Sequence, residues 1–335
     1  MSRFFLEKKQ SLLKHKDKLI WFHSFYALLL GIGVMWLGAK DFRIIRWATI
    51  QITFIWLSSL AIPYIFSWQK LSDKWKERFR LLINYFNRNF YQQMLFFVLP
   101  IYYMSTTFNS PNMFFIVLVA ASAVLSTMDI VYDRFISVKA FILSLFFAFN
   151  LFACINVMLP ILWGFRVVHA VRISALFAFL GFATFIYKLS DISKTKKKII
   201  IAASALMFIF IAEAGRHYIP PAPIKLDKTE FGTSFNRKQF KITSPITSLP
   251  TGTKKVYVIS HIKAPLKLKE QVKITWLLNA KKIFSSSNYE ISGKGEKGGF
   301  RLWTCTTLKK IPPDSVLIVE AETEAGQLIG RASLK

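Results

Sequence analysis

Long apolar runs constrain this chain more than any other feature. Ile20 to Ala39, Trp47 to Trp68, Phe141 to Trp163, Ile173 to Tyr187 and Ile199 to Ala214 are almost free of charge. Crossing a hydrocarbon layer about 30 Å thick takes about 20 mostly apolar residues at helical rise, so runs near that length read as membrane spans. The stretch from Phe90 to Met128 is apolar on both sides of STTFNSPN, residues 105–112, whose Asn, Ser and Pro cluster reads as a turn between two shorter spans. That brings the expected number to seven. Composition agrees: 53% of side chains are hydrophobic and 16% aromatic, outside the usual range of a soluble domain.

The first run follows a lysine-rich stretch, as a signal peptide would. It is longer than a usual signal core, and LGAKD after it lacks a small-x-small cleavage pattern, so it reads as a retained helix. Pro63, Pro100 and Pro160 fall inside or near the ends of runs and predict kinks.

Orientation follows from the lysines and arginines between the runs. With seven spans, residues 1–19, 69–93, 129–140 and 188–198 share one side and hold 19 Lys plus Arg, whereas the opposite short connections hold five: Lys40, Arg43, Arg46, Arg166 and Arg172. This places the basic tail 1–19 in the cytoplasm and carries everything beyond Ala214 across the membrane. The boundaries expected are a multi-span domain over 20–214, a Pro-containing linker over 215–237 and a second domain over 238–335. Within the first, residues 70–93 interleave Lys and Arg with Trp75, Phe79, Leu82, Ile83, Tyr85 and Phe86. That basic amphipathic pattern suits a helix lying in the interface or a loop helix docked on the bundle.

Beyond Pro223 the texture changes to short alternating or β-branched segments punctuated by Gly, Pro, Asn and Ser. Strands are expected over 238–243, 254–262, 270–278, 281–291, 300–308, 315–323 and 326–334, enough for a small sandwich. The fold class expected is therefore an α-helical transmembrane bundle of about seven spans followed by a small all-β, immunoglobulin-like sandwich. After Ala214 the chain holds 21 Lys plus Arg against nine Asp plus Glu. On the outer side that surplus suits anionic lipid headgroups or an acidic envelope polymer or protein, or it reflects lysines on solvated strand faces. Nucleic acid is not expected, because the basic residues cluster beside apolar segments.

HIKAPLKLKEQVKITWLLNAKKI, then EISGKGEKGGFRLWT, then VLIVEAETEAGQLIG resemble a family of bacterial carboxy-terminal domains of unknown function. Its members show a strand Trp before a turn, a Gly-Phe/Tyr-Arg-x-Trp segment and a closing strand pair before Leu-x-Gly. Here those positions are Trp276, then Gly299, Phe300, Arg301 and Trp303, then Gly326, Leu328 and Gly330. Members often carry a His two residues before the strand Trp, where this chain has Ile274. The arrangement behind a multi-span region also resembles an uncharacterised pairing found in proteobacterial inner-membrane proteins. The resemblance implies the inner membrane and no reaction, and with the orientation read from the charges it puts the β domain in the periplasm of a diderm bacterium.

Catalytic constellations are not evident. His15, His23, His169, His217 and His261 are scattered, there is no HExxH, GxSxG or P-loop, and GKGEKGG at 293–299 is not followed by a helical pattern. Cys154 and Cys305 lie in different regions, and no metal-ligand spacing or cofactor motif occurs. The polar residues within or beside the apolar runs are the candidates that remain. Arg166, His169 and Arg172 recur at helical spacing near one end of a span, and Glu213 ends the last one. Neighbouring spans would let Glu213 pair with Arg172, leaving spare cations for an anionic headgroup or simply closing an interfacial ion pair. Asn150 and Asn156 suit interhelical hydrogen bonds. Arg301 and Trp303 share a strand face, as a ligand patch or as the edge of a core. The leading expectation is a non-enzymatic membrane protein with an outward binding domain. A transporter or channel whose path is lined by the polar residues of spans five to seven, or an enzyme using Glu213 and His169 on a lipid-linked substrate, are the alternatives.

Overall fold

The computed structural model describes residues 94–128, 131–136, 139–188, 193–249, 254–293, 299–308 and 315–335, with most of 21–33 and positions 50, 252 and 311–312. Half of the expected span at 20–39 is described and is helical there, while the span at 47–68 (apart from position 50), the basic tail 1–19 and the amphipathic segment 70–93 lie outside these residues.

Helix α1, Met94–Met104, and helix α2, Asn112–Thr127, flank the expected turn. Helix α3, Ala140–Trp163, follows a short π-helical turn at Tyr132–Ile136, and α4, Val167–Lys188, and α5, Lys194–Glu213, complete the series. Among the described residues two stretches are long and apolar enough to cross a membrane, Phe141–Trp163 and Val167–Thr184. The expectation of about seven is corrected to that extent for physical reasons. Helices α1 and α2 are short, and α5 opens on KTKKK, whose lysines dilute its apolar run.

Helix α1 is apolar all round, and Leu95, Phe96, Phe97, Val98, Ile101 and Tyr102 are buried, so it sits inside the helical region rather than on its surface. Its Tyr102 ring meets Phe115 of α2 edge-on at 4.9 Å, and Phe115 meets Phe152 of α3 at 6.1 Å. Helix α4 packs between α3 and α5. Helix α5 starts where the Ser193 side chain accepts the Lys196 N–H, and α3 ends at Gly164, whose φ of +70° is a left-handed cap.

The all-β domain is a sandwich of nine described strands: β1 Lys225–Asn236, β2 Lys241–Pro245, β3 Lys254–Lys263, β4 Lys269–Leu278, β5 Lys281–Ser285, β6 Tyr289–Ser292, β7 Phe300–Leu308, β8 Leu317–Thr323 and β9 Leu328–Leu334. One sheet runs β2-β1-β3-β7, and the other runs β5-β4-β8-β9 with β6 also on β4. Two expectations are corrected. The stretch 215–237 is not a linker, since it holds a 3-10 turn at Gly215–Tyr218 and the long strand β1. KLDKTEFGTSFN has too few apolar residues to show the alternation of a half-buried strand, yet it pairs on both sides, with β2 and β3. The expected strand 281–291 is two strands, because the Ser286 hydroxyl takes the Ile274 N–H and interrupts the ladder.

The inner faces of both sheets make the core. Trp276 on β4 is fully buried and donates its indole N–H to Thr304 Oγ1 on β7 at 3.0 Å, joining the two sheets through their centre.

Candidate functional site

The described helix ends nearest the β domain form a socket for it. Glu270, at the start of β4 and 2% exposed, accepts the Val167 N–H of α4 at 2.7 Å and the Gln271 N–H at 3.1 Å. A buried carboxylate thus satisfies an orphan donor at a helix N-terminus and meets the positive end of the helix dipole. Arg166 donates to Glu324 at 2.8 Å and lies 3.5 Å from Glu270. Asn112, opening α2, donates to the Leu328 carbonyl at 3.0 Å, and Gln327 donates to the Ile219 carbonyl at 3.0 Å. His217 Nδ1 lies 3.0 Å from the Gly326 carbonyl. Gly164 is required here twice over, by its φ and because a Cβ would meet the Lys267 carbonyl at 2.7 Å.

The residues expected at the outer helix ends do not form one cluster. Gly164 ends α3 and α4 begins at Val167, so Arg166 lies off the helix and turns to the β domain. Arg172 pairs with Glu213 through two hydrogen bonds of 2.7 and 3.1 Å, with Arg216 Nη1 3.4 Å from the same carboxylate. His169 is exposed. An apolar groove between α4 and α5, about 280 Å³, runs beneath the Arg172–Glu213 pair.

Asn156 on α3 donates to the Tyr102 hydroxyl at 3.0 Å, which donates to the Ala153 carbonyl at 2.8 Å. This ties α1 to α3 in an apolar setting where few other polar partners exist. Asn150 is equally buried, and its amide makes no hydrogen bond among the described residues.

In the β domain the resemblance-bearing residues separate by role. Trp276 is core. Gly326 takes a φ of +83° in the β8–β9 turn, and a Cβ there would meet His217. Gly330 lies where a Cβ would strike Leu226 of β1, and a Cβ at Gly299 would lie 3.3 Å from the Ile262 carbonyl. Phe300 packs partly on the core, while Arg301 and Trp303 point outward.

Outward-facing Trp303, already paired with Arg301 on one strand face by the sequence, belongs to a wider group whose other members sequence reasoning missed. Phe235 of β1 stacks on it with centroids 4.9 Å apart, Arg237 sits 5.3 Å from its centroid, and Phe235 also meets Phe240 at 5.5 Å and Tyr257 at 6.0 Å. Lys255 lies 5.3 Å from the Tyr257 centroid. The signal present in the sequence was the stretch 231–258, which holds Arg237, Lys238, Lys241, Lys254 and Lys255 but no Asp or Glu. Nearer the helices the same face carries Lys228, Glu230 and His261, with Lys228 Nζ 2.7 Å from Glu230. That contact holds the Glu230 carboxyl below the usual carboxylate range, and burial holds His261 below the usual imidazole value despite Glu230 nearby. Among the described residues no three His, Cys, Asp or Glu side chains come together.

Residues 3–253 match a family of unknown function, DUF5924, and the chain belongs to that family. The matched region ends after β2, so the first two strands of the sandwich fall within it. No curated protein matches. A similar solved structure is that of an immunoglobulin-like protein from Pseudomonas aeruginosa, at 13% identity and a TM-score of 0.20, covering 34% of this chain and 96% of that one.

Proposed function

We propose that this DUF5924 member is an integral protein of a bacterial inner membrane whose helices hold the β domain on the side opposite the lysine-rich connections, in the periplasm. There the domain binds an anionic component of the envelope and catalyses no reaction. The observation that carries this reading is the apolar girdle of the helices. Phe114, Val117, Leu145, Phe177, Leu206 and Phe210 are all exposed, a surface that water would penalise and lipid would not. At the β-domain end the girdle is bounded by exposed Trp163 and Tyr218, side chains suited to a headgroup layer. At the other end stand Lys194, Lys196, Lys197 and Lys198, consistent with a cytoplasmic face.

Cysteine accessibility in intact cells tests the topology. Cys154→Ala and Cys305→Ser remove both native thiols, and Ser287→Cys places one at an exposed position between β5 and β6. A membrane-impermeant thiol reagent is expected to label this variant without lysis. Labelling only after lysis would put the domain in the cytoplasm and overturn the reading.

A further inference from the structure

The two outer faces of the sandwich differ in how their charges are met. On the β4-β8-β9 side, Lys273 pairs with Glu322 at 3.1 Å and Arg331 with Glu320 at 2.7 Å. On the β2-β1-β3-β7 side, acids occur only near the helices. Its distal half has aromatic rings and cations with no ion pair among the described residues, since 231–258 contains no carboxylate.

Strand β1 starts at Lys225, whose Nζ lies 3.7 Å from Met104 Sδ at the end of α1. The register sets Trp303 beside Ile259 and Glu230, five residues past Lys225, and Tyr257 beside Gly232, seven past it, so the aromatic group lies about 17–23 Å along the strands from the helix ends. On the proposed membrane reading, headgroups at the level of the helix ends do not reach it.

We propose that this distal face, built on Phe235, Tyr257 and Trp303 under Arg237 and Lys255, binds a glycan chain whose sugar rings carry carboxylate or phosphate groups. The proposal rests on the reading of the β domain as an outward binding module and names its ligand class. Charge complementarity selects an anion. The aromatic rings select one that also offers apolar surface, which the C–H faces of sugar rings provide between their charged substituents. Protein partners concentrate their affinity in anchors that fill pockets, whereas this is a row of rings on a pleated sheet, with Trp303 and Arg301 two positions apart on one face.

The test uses the full chain in nanodiscs of zwitterionic lipid. Probes are polygalacturonate, phosphorylated dextran, neutral dextran, polyglutamate and phosphatidylglycerol vesicles, each at low and high salt. One or both acidic glycans are expected to bind, with neutral dextran and polyglutamate at least about tenfold weaker. Polygalacturonate alone would identify a carboxylate-bearing ligand and phosphorylated dextran alone a phosphate-bearing one. Arg237→Ser with Lys255→Ser is expected to weaken binding about tenfold, and so is Trp303→Ala. Lys281→Ser with Lys282→Ser, which removes the same charge from β5, is expected to leave it unchanged. Should Trp303→Ala fail to fold, the double serine variant against its β5 control decides. Equal losses in the two double variants, or polyglutamate binding as tightly as the glycans, overturns the proposal. Vesicle binding without glycan binding overturns it while leaving an anion-binding domain in place, and silence toward every anionic probe removes both.

Discussion

Replacing Glu270 tests whether the β domain is locked to the helices or merely tethered. Its carboxylate is 2% exposed, takes the Val167 N–H at 2.7 Å and lies 3.5 Å from Arg166 Nε. A hydrogen bond to a charged group contributes ~1.5–3 kcal/mol, and a partly buried charge at a helix terminus adds up to ~2. Glu270→Gln keeps an acceptor for Val167 and loses the charge, for a cost of about 1–2 kcal/mol. Glu270→Ala also leaves the buried Val167 N–H unpaired, for about 3–4 kcal/mol in all. By hydrogen exchange on the full chain in micelles, a loss of 2 kcal/mol appears as roughly 30-fold faster exchange where the interface opens locally. The affected amides are expected at Val167, at Ile219, Ala222 and Ile224 and in the β3–β4 loop near Lys267, while the core strands β3 and β4 keep their protection. If Glu270→Ala left these amides as protected as before, the Glu270 contacts would not be holding the domains together.

Three further outcomes are expected. Trp276→Phe removes the bond to Thr304 and some core volume, for about 2–3 kcal/mol, read as a lower midpoint in urea; an unchanged midpoint would mean the inter-sheet bond contributes nothing. Gly330→Ala is expected to lower the melting temperature at a cost of about 1–3 kcal/mol, because the new Cβ meets Leu226 and β1 must shift from β9. His261 has a lowered folded pKa, chiefly from burial, so the unfolded chain takes up its proton first and stability falls as pH drops through about 6.5. Its charged neighbours Lys228, Glu230, Arg301 and Asp227 remain when His261→Gln is made, and the melting temperature should then change less between pH 7 and pH 5. Glu230 has the complementary dependence: Lys228 depresses its pKa, so its contribution is present above the ordinary carboxylate value and is lost in more acidic solution.

Elements with a strong period were legible in the sequence. The apolar run from Phe141 to Trp163 is a helix of nearly those bounds, and KKVYVISHI, EQVKITWLL and FRLWTCTTL are β3, β4 and β7. Strand β1 was not, because its central pairing stabilises polar residues that no alternation marks. The aromatic group on the distal face was hidden for a related reason. Phe235 and Trp303 are 68 residues apart, and only the order β1-β3-β7 brings them within 4.9 Å. The Arg172–Glu213 pair needed only that two consecutive helices be neighbours, which short connections favour.

The socket was the least legible part, and it changes what the positive charge can do. Its contacts join Gly164 to Lys267, Asn112 to Leu328, Val167 to Glu270 and Ile219 to Gln327, backbone atoms and polar side chains with no hydrophobic period to announce them. A domain on a flexible 23-residue linker over 215–237 would be free to lay its basic face on nearby headgroups. A domain seated on several helix termini is not, because turning it over would break the Glu270, Asn112 and Gln327 bonds together. On the proposed membrane reading, the cations divide by height. Those at the socket are occupied by Glu270, Glu324 and Glu213, while Arg237, over Trp303, and Lys255 stand about 20–30 Å further along the strands. At that height headgroup charge is screened over several Debye lengths, so a polymer lying above the membrane is favoured over the lipid below it as the distal face's partner.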